Sequence, residues 1–368
     1  MLTMRRNIEV KVFYTWSQSE AGEKYDPGFG QNVNWDIPLL EGYKYSFVNN
    51  VSHSPGSHHF KGIDNPTLIS AIKNWGANAV FVYGWNFKSH LKVLRYFKNK
   101  IPVFFRGDST LIDEKQNLKK IIRRVILHCV YHYVDVAFYA GLANKLYFET
   151  HGLKNNQLAF MPHAVDNMRF SCNQHTKIAA HELRFKNDIP IDAMVFLFAG
   201  KLDNNKNVCL LIEAFIELQN SNNYLLIAGT GSEETELKNM AAFQPNIKFL
   251  SFQNQVQMPV VYAAADVFVL PSKSETWGLS INEAMAAGKA IIVSSSCGAA
   301  FNLLEENKNG LVFQNNNLIS LTDCLTFINE NRDACYQMGI ESKSIIQQYT
   351  YRNCCEVVEN TVIKLRLA

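Results

Sequence analysis

Met194-Val-Phe-Leu-Phe-Ala-Gly-Lys201-Leu-Asp-Asn-Asn-Lys206-Asn207 opens with an unbroken apolar run, turns at a glycine, and crosses a polar loop into a helical pattern that lasts to Leu218. A run without polar alternation must be covered on both faces, as a strand inside a parallel sheet is. The unit recurs. Segments 224–229, 247–252, 266–271, 290–295 and 310–313 read as buried strands. Segments 234–242, 258–264, 279–287 and 319–330 read as helices between or after them. Such alternation predicts a parallel sheet clad by helices, with ligands bound beyond the carboxyl ends of the strands.

The first half repeats this pattern less regularly. Candidate strands are 9–16, 45–49, 79–83, 103–106, 134–139 and 158–161; candidate helices are 66–75, 89–98 and 114–132. Segment 17–36 is too long for a plain connection and is expected to be a functional loop of unassigned role. The polar run 171–181 reads as the crossing between domains, and the tail after Tyr349 has a helical pattern. A chain of 368 residues is long for one core, so two α/β domains are expected. They are 1–170, joined by the terminal helix 349–368, and 182–348.

Composition narrows the function. A net charge of +3 argues against a nucleic-acid partner. No apolar segment follows Arg5 and Arg6 and no run is long enough to span a bilayer, so a cytoplasmic location is expected. The eight cysteines contain no Cys-x-x-Cys pair. His128 and His132 share a helix face but lack the flanking glutamate of a zinc-protease motif. An ordinary helix pair, with no metal site, is the expectation.

The chemistry concentrates in Pro271-Ser-Lys-Ser-Glu275-Thr-Trp-Gly278-Leu-Ser-Ile-Asn-Glu283-Ala-Met-Ala-Ala-Gly288. A strand ends at Pro271, a loop follows, and a helix starts near Leu279. Gly278 allows close backbone approach, and the leading N–H groups of a helix suit a phosphate. Glu275 precedes that site and Glu283 lies about one turn inside the helix. Carboxylates flanking a diphosphate must accept hydrogen bonds from hydroxyls, as a sugar and a ribose offer. Acids at a helix start also complement its dipole without binding anything, and Ser274 is a possible cap. Lys201 and Lys206, in the loop after Gly200, suit a diphosphate as point charges, though a solvated loop carries lysines too.

Together these residues resemble the retaining family-4 glycosyltransferases of the GT-B fold. Glu275 and Glu283 match the family's Glu–seven–Glu motif, and Gly200, Lys201 and Lys206 match its donor loop. Further matches are Gly229-Thr-Gly231, Tyr262-Ala-Ala-Ala-Asp266, Gly310-Leu-Val312, and Pro162-His-Ala-Val-Asp166 with Phe170. The resemblance implies two Rossmann-like domains facing a cleft, with the C-terminal helix crossing back to the first domain. It implies a nucleotide-sugar donor, UDP-linked by frequency in the family, and a glycan or lipid-linked acceptor in surface polysaccharide or glycolipid synthesis. It also implies transfer with retention and no metal or other cofactor. Glu275 would contact the donor sugar and Glu283 the ribose. Backbone amides from Thr276 through Trp277 and Gly278 to Leu279 would serve diphosphate and sugar, and Lys206 would hold the phosphates.

This sequence departs from the family at three places. Lys201 replaces a common arginine and loses its bidentate fork. Asn302 stands where an acid is common. The first domain lacks the family's histidine and has Val103-Phe-Phe-Arg106-Gly-Asp108-Ser instead. Two readings stand for that loop: Arg106 stabilises the leaving phosphate and Asp108 orients the acceptor, or Asp108 caps a helix. A sugar-nucleotide epimerase or hydrolase, or a catalytically idle partner protein of the same fold, are the alternative functions. Helix 115–132 mixes basic pairs (Lys119, Lys120, Arg123, Arg124) with Ile121, Ile122, Val125, Ile126, Leu127 and Val130. It reads either as an anionic-membrane contact, making the protein peripheral, or as a core helix with a basic edge.

Overall fold

A computed structural model describes residues 1–16, 24–112, 114, 118–220 and 222–367. Parts of the expected loop 17–36 and of the start of helix 115–132 lie outside them. The strands are β1 (Lys11–Tyr14), β2 (Lys24–Asp26), β3 (Gln31–Val33), β4 (Lys44–Phe47), β5 (Val80–Tyr83), β6 (Val103–Arg106) and β7 (Val136–Tyr139). They continue with β8 (Leu158–Phe160), β9 (Met194–Ala199), β10 (Asn223–Ala228), β11 (Ile247–Leu250), β12 (Val267–Leu270), β13 (Ala290–Ser294) and β14 (Gly310–Phe313). The chain divides into two compact units. One comprises 1–24, 38–162 and 351–368; the other comprises 25–37 and 163–350.

In the second unit, six parallel strands run in the order β11-β10-β9-β12-β13-β14. Every residue of β9, β12 and β13 is buried, the outcome that their unbroken apolar runs require. From β9 the chain builds outward through β10 and β11, then restarts on the other side of β9 with β12. The strand order therefore reverses between β9 and β12. Loops leaving the carboxyl ends there diverge and leave a crevice.

The expected crossing at 171–181 is not a crossing. It lies wholly in the second unit, and from Gln174 on it is part of the helix Gln174–Lys186, started by the Asn173 side chain, which accepts from the Thr176 N–H at 2.9 Å. The polarity that suggested a linker belongs to a cap and an exposed face. Arg184 pins this helix to the sheet. It donates to the Ala264 carbonyl at 2.8 Å and pairs with Asp266 at 3.0 Å. Asp266 also accepts from the Val195 N–H at 2.8 Å, so the acid before β12 organises the start of β9.

The first unit holds a parallel four-stranded sheet, β5-β6-β7-β8, and a parallel β1–β4 pair. The last helix, Tyr351–Leu367, belongs to this unit. Val358 packs with Phe104, Phe138 and Met161, and Glu359 pairs with Arg5 at 2.9 Å. Among the described residues, no helix is long and apolar enough to cross a membrane.

Candidate active site

Two loops meet at the strand-order reversal. The loop after β9 is stiffened at Asp203, whose side chain accepts from the Asn205 and Lys206 N–H groups at 3.0 and 3.1 Å. Asn205 then clasps the loop after β12, donating to the Ser274 carbonyl at 2.7 Å and accepting from the Lys273 N–H at 2.8 Å. This clasp delivers Lys206 to Glu275. Their side chains form an ion pair, both largely withdrawn from solvent. Glu275 is held from behind as well: its N–H bonds the Ser296 carbonyl at 3.0 Å and its own carbonyl accepts from Gly298 at 2.9 Å.

Gly278 precedes the helix Leu279–Ala286 with φ +95°, and a Cβ there would lie 2.9 Å from Leu270 Cδ2. A glycine is needed on both counts. On either side of it, Thr276 and Leu279 are exposed while Trp277 is buried. Trp277 donates its indole N–H to Asn282 at 2.8 Å, and Asn282 donates to the His163 carbonyl at 3.0 Å. The Trp277 side chain therefore braces the loop from inside, leaving Thr276 at the surface. Cys297, beneath Gly278, is inert as a nucleophile because burial pushes its thiol up to about 12.

Glu283 sits one turn into the helix and accepts the Tyr262 hydroxyl at 2.8 Å. Burial pushes its carboxyl up to about 7, against the opposing pull of the Tyr262 hydrogen bond and the Arg169 charge. Tyr262 is fully buried and packs edge-on against Phe170 at 5.7 Å between centroids. Asp166 caps the short helix that carries Phe170, accepting from the Arg169 N–H at 3.1 Å. Residues 166, 170 and 262 thus hold Glu283 in place. The sequence marked all three as motif positions but offered no sign that they form one support, because the contacts are tertiary.

Gly200 closes β9, bonding its N–H to Ala228 at 3.0 Å, and Gly229 fits against it so closely that a Cβ would come within 1.9 Å of the Gly200 carbonyl. Lys201 follows, but it faces a partner the sequence did not suggest: Asp26, at 2.8 Å. Arg106 and Asp108 lie in the first unit. Arg106, only 8% exposed, donates to the Met161 and Pro162 carbonyls at 2.7 and 3.4 Å. Asp108 is exposed, and residues 109–112 directly after it are not helical, so the helix-cap reading of Asp108 does not hold. Among the described residues no cluster of three or more His, Cys, Asp or Glu is arranged to hold a metal.

Residues 180–344 match the model of Glycosyl transferases group 1, so the second unit is a glycosyltransferase domain of that group. An alpha-monoglucosyldiacylglycerol synthase of Acholeplasma laidlawii is 27% identical over 224 residues, 58% of this chain and 55% of the relative. The alignments with the first two curated relatives span only 35% and 55% of those proteins' lengths. The fold extends further. Sucrose-phosphate synthase of Thermosynechococcus elongatus superposes with a TM-score of 0.71 at 17% identity, over 98% of this chain and 89% of that one. Anabaena HepE, in a structure with UDP and glucose, gives 0.69 at 16% identity over 87% and 86%. The chain has the GT-B fold that these enzymes share.

Proposed function

We propose that this protein is a retaining glycosyltransferase that moves a sugar from a nucleoside diphosphate, UDP first among the choices, to a glycan or lipid-linked acceptor. The meeting of Lys206 and Glu275 at the strand-order reversal, with Glu283 one helical turn further on, carries this reading. A diphosphate placed there finds lysine charge and the leading edge of a helix; a sugar and a ribose find a carboxylate each. In this reading Lys206 leaves Glu275 to bind the phosphates, and Glu275 turns to the sugar hydroxyls. Glu283 takes the ribose. The N–H groups from Thr276 to Leu279 complete the anion site, and Lys201 adds charge. Retention follows if the donor's own phosphate oxygen takes the acceptor proton as the sugar–phosphate bond breaks and the new glycosidic bond forms on the same face. No metal or cofactor enters this scheme.

UDP is supported by the HepE structure, which holds UDP together with glucose. A lipid-linked acceptor is supported by the glycolipid named in the Acholeplasma relative. It is supported again by the helix Leu118–Tyr131, where Ile121, Ile122 and Val125 are each about 60% exposed. We assign that face to an anionic membrane surface, making the protein peripheral, and surface polysaccharide or glycolipid synthesis is the process that fits. Asp108 keeps its proposed place beside the acceptor hydroxyl. Arg106, buried and committed to two carbonyls, is given the role of holding the 161–162 turn instead of contacting phosphate. Incubation with nucleotide sugars tests the whole. Free nucleotide appearing only with acceptor supports transfer; release without acceptor points to a hydrolase; binding without turnover points to an idle partner.

A further inference from the structure

The segment 25–37 belongs to the second unit although the chain on either side belongs to the first. Its turn, between β2 and β3, is tight: Asp26 accepts from the Gly30 N–H through its carbonyl at 2.9 Å, and from Gly28 through its side chain at 2.8 Å. The turn lies on residues that follow three strands of the sheet. After β9, Lys201 donates to Asp26 Oδ1 at 2.8 Å, with its ammonium 5.0 Å from the Phe29 ring centre. After β10, the Thr230 hydroxyl donates to the Phe29 carbonyl at 3.0 Å; after β11, Phe252 meets the Phe29 ring at 4.9 Å. A Cβ on Gly28 would lie 2.5 Å from Lys201 Cδ, so glycine at 28 lets the lysine lie flat against the turn.

Lys201 cannot serve two anions equally. A diphosphate drawn to its ammonium would meet the Asp26 carboxylate already there, and like charges repel at that range. We propose that Asp26 is a resident anion of the donor site: its carboxylate holds Lys201 until a nucleoside diphosphate replaces it, and donor binding releases the turn. This rests on the donor reading given above. Lys201 donates to the same Oδ1 that accepts from the backbone N–H groups of Gly28 and Phe29, so the ion pair and the turn form together. Breaking the pair therefore loosens the turn, and removing the Asp26 charge favours the donor. The opposite arrangement, in which Asp26 aims Lys201 at the donor, predicts the opposite sign.

The test is calorimetric titration of the full chain with UDP, GDP and ADP in turn, using the parent, Asp26→Asn, Lys201→Met and the double variant. Asparagine still accepts from the Gly28 and Phe29 N–H groups, so the turn is kept while its charge is removed. Asp26→Asn is expected to tighten binding of the preferred nucleotide about 3- to 10-fold, the scale of a partly screened ion pair. Lys201→Met is expected to weaken it, and in that background Asp26→Asn should lose most of its effect. Amide hydrogen exchange across 25–37 should speed up when the parent is saturated with nucleotide. Unchanged or weaker binding by Asp26→Asn overturns the proposal, as does slower exchange on binding. If Lys201→Met weakens binding while Asp26→Asn does not tighten it, the donor reading stands and only the proposal falls. If the parent binds none of the three nucleotides, both fall.

Discussion

Glu283 keeps a proton in the folded chain to a pH where an exposed glutamate has long lost it, with a pKa of about 7 against 4.5. Between those values the folded state binds more protons than the unfolded one. The stability this group contributes is therefore full below about pH 4.5, declines as pH rises through about 7, and is lost above it. Glu283→Gln cannot ionise and should remove that slope. Part of the side chain still meets solvent, so urea melts at pH 5.5 and 8.5 should show the variant gaining about 1–2 kcal/mol on the parent at the higher pH. The same variant should chiefly raise the donor KM, because ribose contacts hold ground and transition states alike. Glu275→Gln should chiefly lower kcat, since the sugar that the proposal places against it moves as the bond to phosphate lengthens. Measured at pH 8.5, where Glu283 is ionised, each effect should be roughly 10- to 150-fold, the worth of a hydrogen bond to a charged group. Steady-state kinetics that leave both variants like the parent would sink the donor-site assignment. Both glutamates were legible in the sequence because their spacing and the glycine between them are local. Asp26 was not, since it meets Lys201 from 175 residues away.

At the scale of elements, the loop from Glu275 into the helix Leu279–Ala286 depends on Gly278. Its left-handed backbone and the absence of room for a Cβ predict that Gly278→Ala costs about 2–3 kcal/mol. A thermal melt of the variant, lower by several degrees and accompanied by reduced turnover, is the expected result. The helix Leu118–Tyr131 makes a different prediction. Leu127 and Val130 are buried and hold it to the first unit, whereas Ile121, Ile122, Val125 and Ile126 face outward. Of its cations, Lys120 pairs with Glu114 at 2.9 Å and Arg123 donates to the Tyr147 hydroxyl at 3.0 Å, while Arg124 is exposed. Ile122→Ser with Ile126→Ser should leave the melt unchanged and weaken co-sedimentation with anionic liposomes several-fold. A parent that fails to sediment with liposomes at low salt ends the membrane assignment. The apolar surplus of this helix was visible in the sequence; which residues face out was settled by how it packs. The helices Leu142–Thr150 and Arg332–Ile345 were not expected at all. Their patterns mix polar and apolar positions, and their stability comes from the neighbours they cover.

At the scale of the molecule, the chain's last helix serves the unit where the chain began. Val358 fills a patch formed by Phe104, Phe138 and Met161, and Arg5 anchors Glu359. Ending the chain at Thr350 should uncover that patch. Scanning calorimetry should then show a transition of the first unit lowered or lost, with nucleotide binding by the second unit retained. Loss of nucleotide binding together with that transition would instead tie the donor site to the missing helix. By itself, the sequence determined the six-stranded parallel sheet, the carboxylate pair and the lysine loops. A strand buried on both faces needs an unbroken apolar run, and a loop-to-helix anion site needs its glycine and acids at fixed short spacing. Only the tertiary structure decided that Lys206 pairs with Glu275, that Tyr262 supports Glu283, and that a turn near the N-terminus covers Lys201. Those contacts join residues from 21 to 175 positions apart. Nothing in local periodicity carries them, because they exist only once the strands have been ordered and their loops brought to one edge of the sheet.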